Sequence, residues 1–322
     1  MTGVPAADSI PLLAILGPTG VGKTRLAVAL AQHWPMEVVS VDSRQVYRRM
    51  DIGTGKPTPA ERRAVRHHLV DVVEPDERYD AARFAREAAA AIEAVRERGR
   101  WPVLVGGTGL YYRALVRGLL PRPPADPALR GRLRAEVAAK GPEALHRSLM
   151  AVDPESAAVL HPRDTLRVSR ALEVALQTGR PAVRGGAGNW AEAPPDGKYR
   201  VVGVGLNASR PALYAALNAR VDRMLADGLL EEVSALVEAG FAPALPSMQG
   251  IGYRHLAQVI RRRDALEDAV AAMKRDTRRY AKRQLTWFAR EPGVSWVDTD
   301  PADVAAAVDA TKKIVERARL FA

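Results

Sequence analysis

Cysteine is absent from the 322-residue chain, which excludes disulfides, thiol catalysis and cysteine-ligated zinc. Histidine is scarce. Of the six present, only His67 and His68 are close together, so a histidine-built metal site is not expected. No stretch reaches the roughly 18 uninterrupted apolar residues of a membrane-spanning helix. The first ten residues carry Asp8 and no basic region ahead of an apolar segment, so no secretory signal is visible. A cytoplasmic protein with no membrane partner is the expectation.

Lysine is sparse too, supplying eight of the 48 basic residues, yet these outnumber 37 acidic ones and leave a formal net charge of +11. Such an excess points to a polyanionic partner, nucleic acid first. A chain rich in Arg, Ala, Gly and Pro also fits a GC-rich coding sequence, so composition alone leaves both readings open. With 47% apolar and 26% charged residues the chain is globular rather than disordered. At about 150 residues per domain, its length suits one large domain or two moderate ones.

What is present is strand–helix alternation. An apolar run from Pro11 to Leu16 leads into Gly17-Pro18-Thr19-Gly20-Val21-Gly22-Lys23-Thr24 and a helical pattern to about His33. A second run, Glu37 to Val41, ends in Asp42. Tyr79-Asp80 precedes an Ala-rich helix from roughly Ala81 to Arg98, and a third run, Pro102 to Val105, ends in Gly106-Gly107-Thr108-Gly109. This alternation predicts an α/β fold, a doubly wound parallel sheet of the P-loop NTPase kind. From Pro121-Arg122-Pro123-Pro124 the pattern turns helical as far as Thr178, and Arg184 to Gly197 reads as an exposed loop. Tyr199 to Leu206 returns as a strand, followed by a mostly helical remainder with a short strand near Val294 to Val297. The expected organisation is residues 1–119 as the first part of the core, 120–198 as an inserted helical domain, and 199–322 as the completion of the core with basic C-terminal helices.

Residues Gly17 to Thr24 satisfy G-x-x-x-x-G-K-[ST] in the setting that motif requires, after a strand and before a helix. Its glycines let backbone N–H groups converge on an anion, and the helix N-terminus adds positive potential. Lys23 can reach a terminal phosphate, and the Thr24 hydroxyl can hold Mg²⁺. The motif does not name the reaction. Hydrolytic P-loop enzymes usually carry a magnesium-holding Asp after a later strand, whereas the third strand here ends in Gly-Gly-Thr-Gly. The nearest acid in kind is Asp42, at the strand ends where ligands collect in open sheets. It can equally cap a turn.

Several blocks together resemble the tRNA dimethylallyltransferase (tRNA isopentenyltransferase) family. They are Gly17 to Thr24, Asp42 to Arg48, Asp51 to Pro57, His67 to Asp71, Gly106 to Tyr111, Asp164 to Glu173, Ile251-Gly252-Tyr253 and Tyr280 to Phe288. With no cysteine for a zinc module, the shorter bacterial form is the match. The resemblance implies transfer of a dimethylallyl group from dimethylallyl diphosphate to an exocyclic adenosine amine next to the anticodon, with Mg²⁺ as cofactor and a monomeric enzyme. It assigns the diphosphate to Gly17, Pro18, Thr19, Gly20, Val21, Gly22, Lys23 and Thr24, with Arg220 as a further clamp. Asp42 becomes the base that takes the amine proton. Contacts to the tRNA anticodon stem-loop fall on Asp42, Ser43, Arg44 and Gln45, on Thr108 and Arg130, and on Leu166, Arg167, Val168, Ser169 and Arg170. Gln249, Gly250, Ile251, Gly252, Tyr253 and Arg254 complete that set. Two departures stand out: Gly20-Val21 replaces the usual Ala-Ser, and Leu166 stands where Gln is common.

The helix expected from about Asp268 to Arg290 adds a separate signal. Met273, Thr277, Tyr280, Gln284, Trp287 and Phe288 fall on one side at helical spacing, with Arg275, Arg278, Arg279, Lys282, Arg283 and Arg290 across a broad opposite arc. The arc suits RNA phosphates or is a solvated face. Arg261-Arg262-Arg263 is a weaker basic run. From the residues alone, a small-molecule or nucleoside kinase and an RNA-binding NTPase remain as alternatives.

Overall fold

The structure, a computed structural model, describes residues 9–119, 122–183, 197–261 and 264–321. The N-terminal stretch to Asp8, Pro121, nearly all of the loop expected from Arg184 to Gly197, and Arg262-Arg263 lie outside the described residues. Two compact units are formed, one by the chain up to Val116 and from Gly197 onward, the other beginning at Arg117.

In the first unit the chain runs β1 (Ile10–Leu16), α1 (Lys23–Leu30), β2 (Met36–Val41), α2 (Pro59–Ala64), β3 (His67–His68), α3 (Ala81–Glu97), β4 (Trp101–Gly106) and α4 (Gly109–Val116). The second unit holds α5 (Pro127–Lys140), α6 (Pro142–Val152), α7 (Pro154–Val159) and α8 (Thr165–Thr178). The first unit then resumes with β5 (Tyr199–Asn207), α9 (Arg210–Ala226), α10 (Leu229–Glu238), α11 (Tyr253–Ile260), α12 (Leu266–Phe288), β6 (Val294–Asp298) and α13 (Ala305–Arg317).

The strands form a parallel sheet in the order β3-β2-β4-β1-β5-β6. Its central strand β1 is buried on both faces, which is why it reads as an unbroken apolar run rather than an alternating one. The period-2 geometry still divides it. Leu12, Ala14 and Leu16 join a core with Phe84, Ile92 and Phe288. Leu13 and Ile15 join another with Leu26, Leu30 and Val315.

Differences from the sequence reading are local. The first helix stops at Leu30 in a turn, α12 starts two residues early, and β6 runs to Asp298. Helix α2 and the two-residue β3 lie in the polar stretch between β2 and α3, to which the sequence reading assigns no element. The Thr58-x-x-Glu61 capping box, with both reciprocal hydrogen bonds present, was the signal for α2.

In the second unit, Asp126, Asp153 and Asp164 cap α5, α7 and α8 through their side chains. Its core packs Leu129, Leu133, Leu145, Leu149, Val168 and Leu172. Fully buried Glu173 accepts from Arg130 Nε and Nη2 at 3.0 and 2.9 Å, from Arg170 Nη1 at 2.5 Å and from the Asp126 backbone at 2.8 Å. Burial by itself would raise this carboxyl's pKa, but the two guanidinium groups hold it below the ordinary value. Glu173→Gln should therefore destabilise the protein by roughly 2–4 kcal/mol, because two part-buried arginines lose their counter-charge. Urea unfolding of the full chain at neutral pH measures this, and an unchanged midpoint would mean the arginines simply turn to solvent.

Candidate active site

The sheet register assembles the site. Leu16 pairs with Gly106 and Val41 pairs with Gly106, so the residues that follow these three strand ends lie side by side at one edge. They are Gly17, Asp42 and Gly107. This is the carboxyl edge of a parallel sheet, where converging loops and helix N-termini favour ligands.

After β1 the chain must turn abruptly into α1. Gly22 makes this possible at φ +100°, a left-handed conformation that side chains disfavour, and it places Lys23 at the first helical position. Lys23 Nζ folds over the loop and donates to Gly17 O at 3.0 Å and Pro18 O at 2.6 Å. Burial lowers its pKa to about 8, with Arg220 adding to the effect and Asp42 opposing it. Thr19 and Thr24 line the adjoining cavity, whereas the Val21 side chain is fully buried in the core. A Val in place of Ser there leaves the cavity-facing loop surface unchanged.

Asp42 follows β2. Its Oδ1 accepts from the backbone N–H groups of Arg44 at 2.7 Å and Gln45 at 3.2 Å. The turn-capping role allowed by the sequence is therefore real, and it occupies one carboxylate oxygen. Oδ2 accepts no hydrogen bond from the described residues. The charge of Asp42 is felt by Lys23, by Arg220 and by Tyr280, whose pKa is pushed up to about 12 by burial and then by that carboxylate.

The neighbours of Asp42 are spoken for. Ser43 N–H donates to Thr108 Oγ1 at 3.1 Å. Arg44 reaches the Pro246 carbonyl at 2.6 Å. Gln45 accepts from Ser40 Oγ at 3.0 Å and donates to Gly55 O at 3.1 Å. Arg220, on α9, is half-buried in the cavity wall. Desolvation lowers its pKa, Arg223 adds to this, and Asp42 opposes it.

A cavity of about 1090 Å³ brings together Lys23, Thr24, Asp42 and Arg220, and its lining continues over Ser43, Arg44, Gln45, Gln249, Gly250, Ile251, Tyr253 and Arg254. Several of these polar side chains already have partners. Gln249 donates to Pro243 O at 2.7 Å, and Arg254 donates to Asp276 at 2.5 Å. Gly252 forms the N-terminal boundary of α11.

The remaining candidates for tRNA contact lie in the second unit. Arg130 and Arg170 are the arginines on Glu173, and Val168 is fully buried in that unit's core. Leu166 is 86% exposed, and Arg167 sits 3.5 Å from Asp164. Ser169 is half-buried on α8.

The face assignments on α12 need one correction. Arg278 is not on the outer arc: it is half-buried and donates to Asn218 Oδ1 at 2.7 Å. Arg275, Arg279, Lys282, Arg283 and Arg290 are exposed. Gln284, grouped with the apolar seam, is a buried polar clasp. It accepts from Thr19 N–H at 2.8 Å and donates to Gly107 O at 2.9 Å, joining the phosphate loop to the loop after β4.

Sequence reasoning also missed Lys56, which is buried and donates to Tyr47 O and Asp51 Oδ1, both at 2.6 Å, and to Asp71. It missed Glu232 as well, a residue on α10 that binds the loop carrying Asp51. The acidic pair Glu231-Glu232 after Gly228 was the one available hint, and it also fits the ordinary preference for acids in a first helical turn.

Among the described residues no cluster of three or more His, Cys, Asp or Glu side chains is suited to a metal. No described helix is long and apolar enough to cross a membrane.

Known proteins match this architecture and order of motifs. The family model described as IPP transferase matches residues 45–291. The tRNA dimethylallyltransferase of Syntrophobacter fumaroxidans is 47% identical, covering 90% of this chain and 84% of its own. That of Desulfosudis oleivorans is 48% identical over 89% of this chain and 90% of its own. Among solved structures, the full-length tRNA isopentenylpyrophosphate transferase of Bacillus halodurans superposes with a TM-score of 0.71 at 40% identity, covering 96% of this chain and 97% of its own. A eukaryotic dimethylallyltransferase acting on tRNA gives 0.77 at 30% identity, covering 95% and 78%. Such agreement over nearly the whole length shows that this chain belongs to the IPP transferase family, that of the tRNA dimethylallyltransferases.

Proposed function

We propose that the chain transfers the dimethylallyl group of dimethylallyl diphosphate to N6 of the adenosine next to the anticodon of tRNA, giving N6-(dimethylallyl)adenosine and diphosphate. The observation that carries this reading is one cavity holding an anion-binding loop with Lys23, the half-buried Arg220 and the carboxylate of Asp42. A phosphoryl-transfer enzyme can use the same three groups; the family to which the whole chain belongs is what favours attack by an amine on an allylic carbon.

The balance is simple. A C–N bond forms at the allylic carbon, the C–O bond to diphosphate breaks, and N6 gives up one proton. Lys23, Arg220 and the loop N–H groups stabilise the charge that builds on the leaving diphosphate. The Asp42 oxygen not used in the turn accepts the proton as the amine attacks. The adenine must leave its stack to reach the carboxylate, and Tyr280 in the cavity wall offers a ring for it to meet.

Thr24 is the residue that would hold Mg²⁺, together with diphosphate oxygens. A hydroxyl beside the phosphate loop, with no dense acidic cluster, suits an ion that takes most of its ligands from substrate and water. Bound there, the ion would supply further charge neutralisation on the leaving group. The same reading has a monomer working on one anticodon stem-loop in the cytoplasm.

A mixing experiment tests the reaction. Dimethylallyl diphosphate with tRNA should yield modified adenosine, and ATP with nucleoside or RNA should yield no phosphate. Strong ATP hydrolysis unaffected by dimethylallyl diphosphate would reject the assignment.

The exposed arc of α12 gives a second expectation. If Arg275, Lys282 and Arg283 meet RNA phosphates, tRNA affinity falls steeply with salt, and each charge removed flattens the log–log slope by about 0.7 to 0.9. Arg278, tied to Asn218, should contribute less to the slope. Titration of tRNA at several salt concentrations reads this, and charge reversal at Lys282 and Arg283 without effect would make the arc a solvated face.

A further inference from the structure

The loop from Asp51 to Lys56 belongs to no helix or strand, yet it forms part of the cavity wall. Three consecutive backbone N–H groups in it point at a single carboxylate. Asp51 and Ile52 donate to Glu232 Oε2 at 2.8 and 2.7 Å, and Gly53 donates to Oε1 at 3.1 Å. The Tyr253 hydroxyl donates to the same Oε1 at 2.6 Å, and burial together with that carboxylate pushes the phenol's pKa well up. Four donors on one carboxylate make a directional anchor for backbone that has no ladder of its own.

The anchored loop bears on Arg220 through close packing. A Cβ on Gly53 would lie 2.6 Å from the Tyr253 ring, so the peptide rests against that ring. Two residues on, Gly55 stands at φ +59°, and a Cβ there would lie 1.6 Å from Arg220 Nη2. The guanidinium thus occupies the space that a side chain at residue 55 would take. Arg220 and Glu232 hang from consecutive helices, α9 and α10, joined through Gly228. One helix supplies the cation, and the next holds the wall behind it.

We propose that Glu232 is a positioning residue for the transfer reaction: it fixes the loop Asp51–Lys56 so that Gly55 backs Arg220 in its diphosphate-binding pose. This rests on the reading that Arg220 binds the diphosphate. Glu232 itself touches no substrate. Loss of the anchor lets the guanidinium drift, and misplacement by about 1 Å can cost roughly a hundredfold in such sites.

A double-mutant cycle on the full-length enzyme tests it, with steady-state KM for dimethylallyl diphosphate measured at saturating tRNA. Glu232→Gln keeps size but replaces an acceptor oxygen with an N–H₂ group aimed at N–H donors. It is expected to raise that KM by about tenfold or more and to leave the tRNA dissociation constant within twofold. In an Arg220→Ala background the same change should add less than twofold, because the group it positions is gone. Gly55→Ala, which removes no donor to Glu232 but puts a methyl group where Arg220 Nη2 stands and strains a left-handed backbone, should reproduce the KM defect. An equal factor in both backgrounds, or an unchanged KM, overturns the proposal. If Arg220→Ala by itself leaves KM unchanged, the diphosphate reading of Arg220 falls, and the positioning role falls with it by a separate route. Should Glu232→Gln fail to fold, Glu232→Asp enters the same cycle. It keeps the charge but loses the reach to span all four donors, and the same outcomes decide.

Discussion

Asp42→Asn should slow single-turnover transfer by roughly 10²- to 10⁴-fold, a loss of about 3 to 5 kcal/mol of transition-state stabilisation. Of the single changes considered, it separates roles most cleanly. Asp42 Oδ1 is the oxygen that caps the turn, accepting from the N–H groups of Arg44 and Gln45. An asparagine side-chain oxygen can take both bonds, so the turn and the cavity wall survive. What disappears is the second oxygen, replaced by an amide that cannot accept the N6 proton. Affinity for tRNA should change far less, since one contact is a small share of binding to a large polyanion. Rates at saturating tRNA, diphosphate and Mg²⁺ decide the matter. A rate within threefold of the parent enzyme would leave Asp42 with the turn alone, and a shifted metal requirement would make it a ligand instead.

Lys23→Met is expected to raise KM for dimethylallyl diphosphate by about 10² or more, with tRNA binding nearly intact. The ammonium now rests on the carbonyls of Gly17 and Pro18, neutral acceptors that a charged phosphate oxygen outcompetes. Its pH dependence supplies an independent signature. Burial holds the free enzyme's Lys23 at about 8, so the charged form is lost as pH rises through that value, and diphosphate binding should weaken with it. Bound diphosphate favours the charged form and moves the titration upward. The affinity profile should therefore fall above about pH 8 in the parent enzyme and lose that limb in Lys23→Met. A fall that persists in the variant would assign the titration to another group.

The sequence was informative wherever the controlling physics is local. Gly17 to Thr24, the apolar runs of β1, β2, β4 and β5, and the Ala-rich helix after Asp80 depend on neighbours a few residues away, and all are found in place. Asp42 could be placed at the sheet edge because a parallel strand ends just before it. The gaps come from long-range pairing. Glu232 meets its loop across about 180 residues of sequence, and nothing in Leu229-Leu230-Glu231-Glu232 marks one acid as an anchor and the other as exposed. Arg130 and Arg170 have the composition of RNA contacts, and only the fold reveals Glu173 between them. Arg278 failed for a related reason. Helical spacing assigns faces to a straight cylinder, whereas α9 crosses close enough for Asn218 to take that side chain inward.

The Gln284 clasp has a bearing on how the protein comes into being. The phosphate loop precedes every other part of the site in the chain, and β1, which carries it, pairs with β5 from Tyr199 onward. The Thr19 N–H waits longer still, for a partner 265 residues later. Domains tend to form as they are synthesised, but contacts this distant oblige the nascent chain to hold its best-known motif unfinished until α12 has emerged. The glycine-rich signature is complete by Thr24, while the receptor it announces is closed only when Gln284 arrives.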